Sequence, residues 1–384
     1  MNKYGNEKED GTYLPGIALI LAGLFACLAL VACGCGGVEL QEFAWSGLEV
    51  FPLAFLAILA WGSTRRPELR WAAYLWLLFT VFIIYAATLV FGILSLIPPG
   101  GLPGGTGALL ENGATSRSTW LIAAGCFVAG LFSLMPFERA FFTRFARRLP
   151  LDADSPVHML ALCVVLAATL IPLVPLLVTG SPPYLSPFFL AGAQTGGITP
   201  AAGVGLYSLF WMTVLSVVAV GFWITRNGTA VLARLGLVRP TVRECALAVG
   251  GGAGLAGFFT LFNMGIGALW GAFGWPVTDT AAFTVLIAHT LTPTGILLLA
   301  VSAGVGEEIA FRGVLQPRFG IIIPSLLFAS LHSFQYGWDG LISVFLLGIA
   351  FALIRRRTST TVSAITHTVY DLVLLAALMA GVAL

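Results

Sequence analysis

The chain has 384 residues, 58% of them hydrophobic and only 9% charged, with a formal net charge of +2 and a mean hydropathy of +0.96. Too little polar sequence remains to cover one soluble core, and so small a net charge gives no reason to expect a nucleic-acid partner. The composition calls for an all-α, polytopic transmembrane helical bundle, because a helix satisfies its own backbone polar groups in hydrocarbon.

Apolar runs near the roughly 20 residues needed to cross a bilayer occur at 14–36, 45–62, 71–97, 119–136, 157–179, 205–225, 245–272, 285–306, 319–334, 340–354 and 360–383. They predict about eleven spans. The first ends in Leu30-Val-Ala-Cys33 and resembles a lipoprotein cleavage site, but Glu7, Glu9 and Asp10 dilute the positive leader such a signal needs. A first transmembrane helix is the reading adopted. The six cysteines (Cys27, Cys33, Cys35, Cys126, Cys163, Cys245) show no metal-ligand spacing and read as packing residues.

With the amino terminus in the cytoplasm, all of the 19 Lys and Arg residues except Arg117 fall on the inner side. This asymmetry predicts a cell-membrane protein with a cytoplasmic amino terminus and an external carboxy terminus. The outer connections 98–118 and 180–204 are Gly/Pro-rich and read as loops or re-entrant turns. Residues 226–243, with Asn227-Gly228 and Arg239-Pro240, read as an Arg-rich cytoplasmic link. It divides an amino-terminal region of about six spans, 1–225, from a block 244–384 that holds nearly every intramembrane ionisable group. A bias of 17 Arg against 2 Lys points to a bacterial, GC-rich genome.

Three patterns stand in that last block. In Glu307-Glu308-Ile-Ala-Phe-Arg312, Glu308 and Arg312 are four apart and share a helix face. Glu307 stands about a quarter-turn away, outside that pair. Phe328-Ala-Ser-Leu-His332 and His367-Thr-Val-Tyr-Asp371 repeat the same spacing, so each pair faces one way. Carboxylates inside a membrane span mark a functional site by default, because an unpaired one costs about 2.5–3.5 kcal/mol at the bilayer centre. A desolvated Glu near neutral pKa suits a general base for hydrolysis, and neutral imidazoles suit polarising or proton-donating roles.

These ordered motifs, E-E-x-x-x-R, F-x-x-x-H and H-x-x-x-[N/D], resemble the CPBP family of membrane glutamic endopeptidases, which includes the type II CAAX prenyl proteases and bacteriocin-processing relatives. The resemblance covers about 244–384. It implies proteolysis of a membrane-associated protein or peptide, with Glu307 as the base that activates water and His332 orienting that water. His367 and Asp371 fall on the oxyanion side. Glu308, Arg312 and Phe328 support the site. Asp371 stands where the prenyl proteases usually carry Asn, and an ionised Asp cannot donate to an oxyanion. No cofactor is expected; the alternative is a zinc ion held by Glu307, His332 and His367. The competing class is a transporter or immunity protein that uses the same polar cavity without chemistry.

Depth imposes a condition on this constellation. If the helix stopped at Gly306, Glu307 would lie near the inner surface, away from His332; it must continue to about Phe319 for the two to meet. The short run at 319–334 allows His332 to sit below the outer surface.

Overall fold

The structure, a computed structural model, describes residues 14–98, 117–194 and 202–382. The amino-terminal half begins with α1 (Leu14–Cys33), α2 (Val38–Gly62), α3 (Leu69–Leu94) and α4 (Arg117–Ser133). Then come α5 (Arg139–Ala146), α6 (Pro156–Leu170), α7 (Leu173–Thr179), α8 (Pro187–Gln194) and α9 (Ala202–Ala219). After α10 (Gly228–Leu235), the carboxy-terminal block holds α11 (Val242–Ala272), α12 (Thr280–Ile287) and α13 (Pro293–Glu307). The last of these runs on through a π-helical segment, Glu308–Leu315, and a final turn, Gln316–Phe319. The chain closes with α14 (Ile322–Leu331), α15 (Trp338–Arg357) and α16 (Thr360–Met379).

Every one of the eleven apolar runs contains helix, and the polytopic all-α bundle stands. Among the described residues nine helices are long and apolar enough to cross a membrane, while Gly205–Ala219, Thr280–Thr290 and Ile322–Leu331 are shorter. Large apolar side chains such as Trp71, Leu75, Val242 and Leu261 face outward, as a lipid-facing surface requires.

Local chemistry shifts several boundaries. The run at 285–306 breaks, and its long helix starts at Pro293 because Thr292, held extended before the proline, caps it by accepting from the Gly295 N–H at 3.1 Å. The whole element Pro293–Phe319 spans 27 residues, so the continuation past Gly306 is present. The link 226–243 is not all loop. Asn227 caps α10 by accepting from the Ala230 N–H, and Gly236, at φ 72°, ends it in the left-handed conformation. Two cysteines also depart from the packing reading: Cys27, Cys126 and Cys163 are buried, but Cys33 and Cys35 are exposed at the end of α1.

Lipid tails remove most of the hydrophobic drive for helix association, so close approach and polar contacts decide the packing. The last helix, α16, lies between α11 and α13. A Cβ on Gly304 would fall 2.3 Å from Thr368 Oγ1 and 2.5 Å from its backbone N. One on Gly252 would fall 2.6 Å from Thr366 O. These two glycines therefore let both neighbours touch the α16 backbone. On the other side, Ser330 and Ser333 donate to Thr169 O and Pro172 O at 2.8 Å, joining the end of α14 to the break between α6 and α7. Phe142, Leu162 and Val165 share a buried cluster with Phe311, Phe319, Leu327 and Phe328. Residues on both sides of the link thus form one core behind the polar constellation.

Candidate active site

Glu308 is fully buried at the start of the π-helical segment and has every carboxylate oxygen occupied. Its Oε1 lies 2.9 Å from Arg312 Nη1, and Oε2 accepts from Ser363 Oγ at 2.6 Å. The i, i+4 pair expected from spacing is therefore formed, although the helix there is widened to π geometry, a distortion frequent at functional sites. The Arg312 Nη1 contact is an ion pair without hydrogen-bond alignment, whereas Nη2 donates to Gly348 O at 3.1 Å. Three rings enclose the guanidinium: its centre is 4.8 Å from the Phe328 ring centroid, 5.5 Å from that of Phe351 and 5.7 Å from that of Phe311.

His367 completes the chain of contacts. Its Nδ1 is 3.2 Å from Glu308 Oε1 and its Nε2 is 3.4 Å from Asp371 Oδ2. The ring is stacked on Phe351 at 4.3 Å. With Nδ1–H pointed at Glu308, the Nε2–Asp371 contact needs one shared proton, on the imidazole or on the carboxyl. Arg312, Glu308, His367 and Asp371 thus form a continuous polar row, with Ser363 attached, across two helices.

Glu307 differs from its neighbour. It is half-buried, and among the described residues it has no hydrogen-bond or ion-pair partner. It nevertheless acts electrostatically on Arg312, Tyr336, His367 and Asp371, which places its carboxylate beside the row. His332 caps α14. Its Nδ1–H donates to Phe328 O at 2.7 Å, which leaves Nε2 free to accept. The Phe328 ring stands 4.8 Å from the His332 ring and 6.0 Å from the His367 ring, so it is the apolar partition between the two histidines.

Two contributors lay outside the sequence patterns. Ser363 precedes His367 by four residues, a spacing that puts both on one face and was the available signal. Tyr336 follows His332 by the same interval, stacks near-parallel to it at 6.2 Å, and lies near Glu307 and Asp371. Burial, with those two carboxylates, raises its phenol above the ordinary value, so it remains a proton donor. Of the histidines set aside, His289 donates to Ala193 O at 3.1 Å and His158 accepts from the Asp152 N–H at 2.9 Å; neither joins the row.

Both nitrogens of His367 already face carboxylates, and among the described residues no group of three or more His, Cys, Asp or Glu is arranged to hold a metal.

Residues 289–373 match the family described as type II CAAX prenyl endopeptidase Rce1-like. Over this stretch the chain is similar to that family. The matched segment holds all seven motif residues, from Glu307 to Asp371, and none of the amino-terminal region. Curated proteins and solved structures give no match to the chain. The matched segment is joined through a shared core to helices that the family match does not reach.

Proposed function

We propose that the protein is an intramembrane endopeptidase that cleaves a peptide bond of a membrane-associated protein or peptide, with the chemistry carried by 244–384 and the earlier helices as its buttress. The observation that carries this reading is the contrast between adjacent carboxylates: Glu308 is saturated by Arg312, His367 and Ser363, while Glu307 beside the same row has no hydrogen-bond or ion-pair partner among the described residues. Such a division leaves one carboxylate for chemistry and uses the other to hold an imidazole.

In the mechanism, Glu307 takes a proton from water as the water oxygen attacks the substrate carbonyl carbon. His332, turned by its bond to Phe328 O, offers Nε2 to the second water hydrogen. The developing oxyanion meets the proton shared between His367 and Asp371, so Asp371 can serve without an amide: it donates when protonated and orients His367 when ionised. Collapse of the tetrahedral intermediate breaks the C–N bond, and Glu307 returns its proton to the leaving amine. Low local dielectric strengthens each of these interactions.

The test uses full-length protein in detergent with a carboxy-terminal prenylated peptide and an unmodified membrane-anchored peptide as probes. Glu307→Gln is expected to lower cleavage at least about a hundredfold, the span of general-base effects, with thermal unfolding unchanged. Undiminished cleavage refutes the assignment. Loss of activity with chelator, restored by zinc, would instead support the metal alternative. A transporter or immunity protein would cleave neither probe.

A further inference from the structure

The ring direction of His332 is set inside its own helix, through the Phe328 carbonyl, but the place of that helix end is set from elsewhere. Three hydrogen bonds join the turn around His332 to the amino-terminal region. Ser330 Oγ donates to Thr169 O and Ser333 Oγ to Pro172 O, both at 2.8 Å, and the Tyr184 N–H donates to Phe334 O at 2.9 Å. Thr169, Pro172 and Tyr184 all lie outside the matched stretch 289–373.

These serines depart from the habit of the rest of the bundle. A hydroxyl in a membrane helix commonly bonds back to the carbonyl four residues earlier. Thr169, Thr213, Thr260, Ser325 and Thr366 all do so, at 2.6–2.9 Å. Ser330 and Ser333 instead cross to carbonyls 161 residues away in each case, so donors three apart meet acceptors three apart and the two segments are locked in one register. The acceptors stand at a break. Pro172 brings no N–H, and the helix that stops at Leu170 resumes at Leu173. Ser330 and Ser333 are buried, at 2% and 0% exposure, so loss of either hydroxyl leaves a carbonyl that solvent does not satisfy.

Ring packing supplies the third point of attachment. The Phe334 ring lies 5.3 Å from that of Tyr184, in the short 3₁₀ turn Pro183–Leu185, and 6.2 Å from that of Phe91 on α3. His332 O accepts from the Tyr336 N–H at 3.0 Å, so the same tight turn also carries the phenol.

We propose that Ser330, Ser333 and Tyr184 are positioning residues for His332: the amino-terminal region holds the turn 330–336 where His332 Nε2 and the Tyr336 hydroxyl reach a substrate beside Glu307. What His332 does rests on the peptidase reading; where it is held does not. The block 244–384 contains every motif residue, yet the points that fix one of them belong to α6, α7 and the turn Pro183–Leu185.

Full-length protein in detergent, labelled with [15N]histidine, tests this through the His332 ring signal, which His332→Gln identifies among the four histidines. The double variant Ser330→Ala/Ser333→Ala is expected to shift or split that signal and to leave those of His158 and His289 in place. On the carboxy-terminal prenylated peptide, kcat is expected to fall about tenfold or more with KM within about twofold, since a misplacement of about 1 Å can cost a hundredfold. Should the double variant fail to fold, Ser330→Ala and Ser333→Ala singly are each expected to move the His332 signal and lower kcat about threefold. Ser325→Ala loses only a bond within its own helix and is expected to change neither. An unmoved His332 signal overturns the proposal, as does a moved one with unchanged kcat in a protein that cleaves. So does an equal response in Ser325→Ala, or a shift of all four histidine signals together with lowered thermal unfolding. If the wild type cleaves neither probe, the peptidase reading fails, and the His332 signal alone decides the positioning: movement in the double variant supports it and stillness overturns it.

Discussion

Replacing Arg312 by Met, Glu308 by Gln, and both together measures the buried pair on which the site rests. Neither member reaches solvent, with relative exposures of 1% and 0%, so removal of one leaves the other as an uncompensated interior charge. Breaking such a pair costs about 3–5 kcal/mol. Arg312→Met belongs near the lower end, because Glu308 keeps the Ser363 hydroxyl and His367 as partners. Glu308→Gln belongs near the upper end: Arg312 keeps contacts only with the Gly348 carbonyl and three uncharged aromatic rings, and Glu307 acts on it without forming an ion pair. The double variant is expected to cost about 2–3 kcal/mol less than the sum, the coupling typical of groups in direct contact. Reversible denaturation in mixed detergent micelles, followed by tryptophan fluorescence, reads all three. Singles that each cost under about 1 kcal/mol and add without coupling would refute the account of Glu308 as a satisfied structural carboxylate.

Gly304→Ala places a methyl group against the Thr368 backbone and is expected to cost about 1–3 kcal/mol and to reduce cleavage by moving α13 off α16; unchanged unfolding and activity would refute the close approach. Tyr336→Phe removes only a hydroxyl and is expected to lower kcat with little change in KM or stability, as steady-state kinetics would show, if the phenol meets the transition state. At the α5 start, the Ala140 and Phe141 N–H groups hold the Glu138 carboxyl below its usual range. A depressed carboxylate stabilises above its unfolded pKa, and that stability is lost as pH falls through the folded value. Hydrogen-exchange protection of 139–146, taken relative to the intrinsic exchange rate at each pH, should therefore fall on acidification below the ordinary glutamate range, and Glu138→Gln should remove that dependence.

Sequence alone determined the class of the protein and the pairs within each helix. Composition required a membrane bundle, and the interval of four put Glu308 on one face with Arg312, Phe328 with His332 and Asp371 with His367; the Glu308–Arg312 and His367–Asp371 contacts are present, and the Phe328 and His332 rings lie 4.8 Å apart. These were legible because helical periodicity is local and survives even the π-helical widening at Glu308. Boundaries were less legible where capping outweighed hydropathy, as at Thr292-Pro293, and where a short amphipathic helix, α10, filled an Arg-rich link. Tertiary structure decided which pairs meet. The Glu308–His367 and Glu308–Ser363 contacts, the enclosure of Arg312 by Phe328 and Phe351, and the place of Tyr336 bring together residues on different helices. Periodicity carries no information about how helices cross. That depends on where Gly252 and Gly304 allow backbones to touch, and in hydrocarbon such close approach replaces burial as the force that orders the bundle.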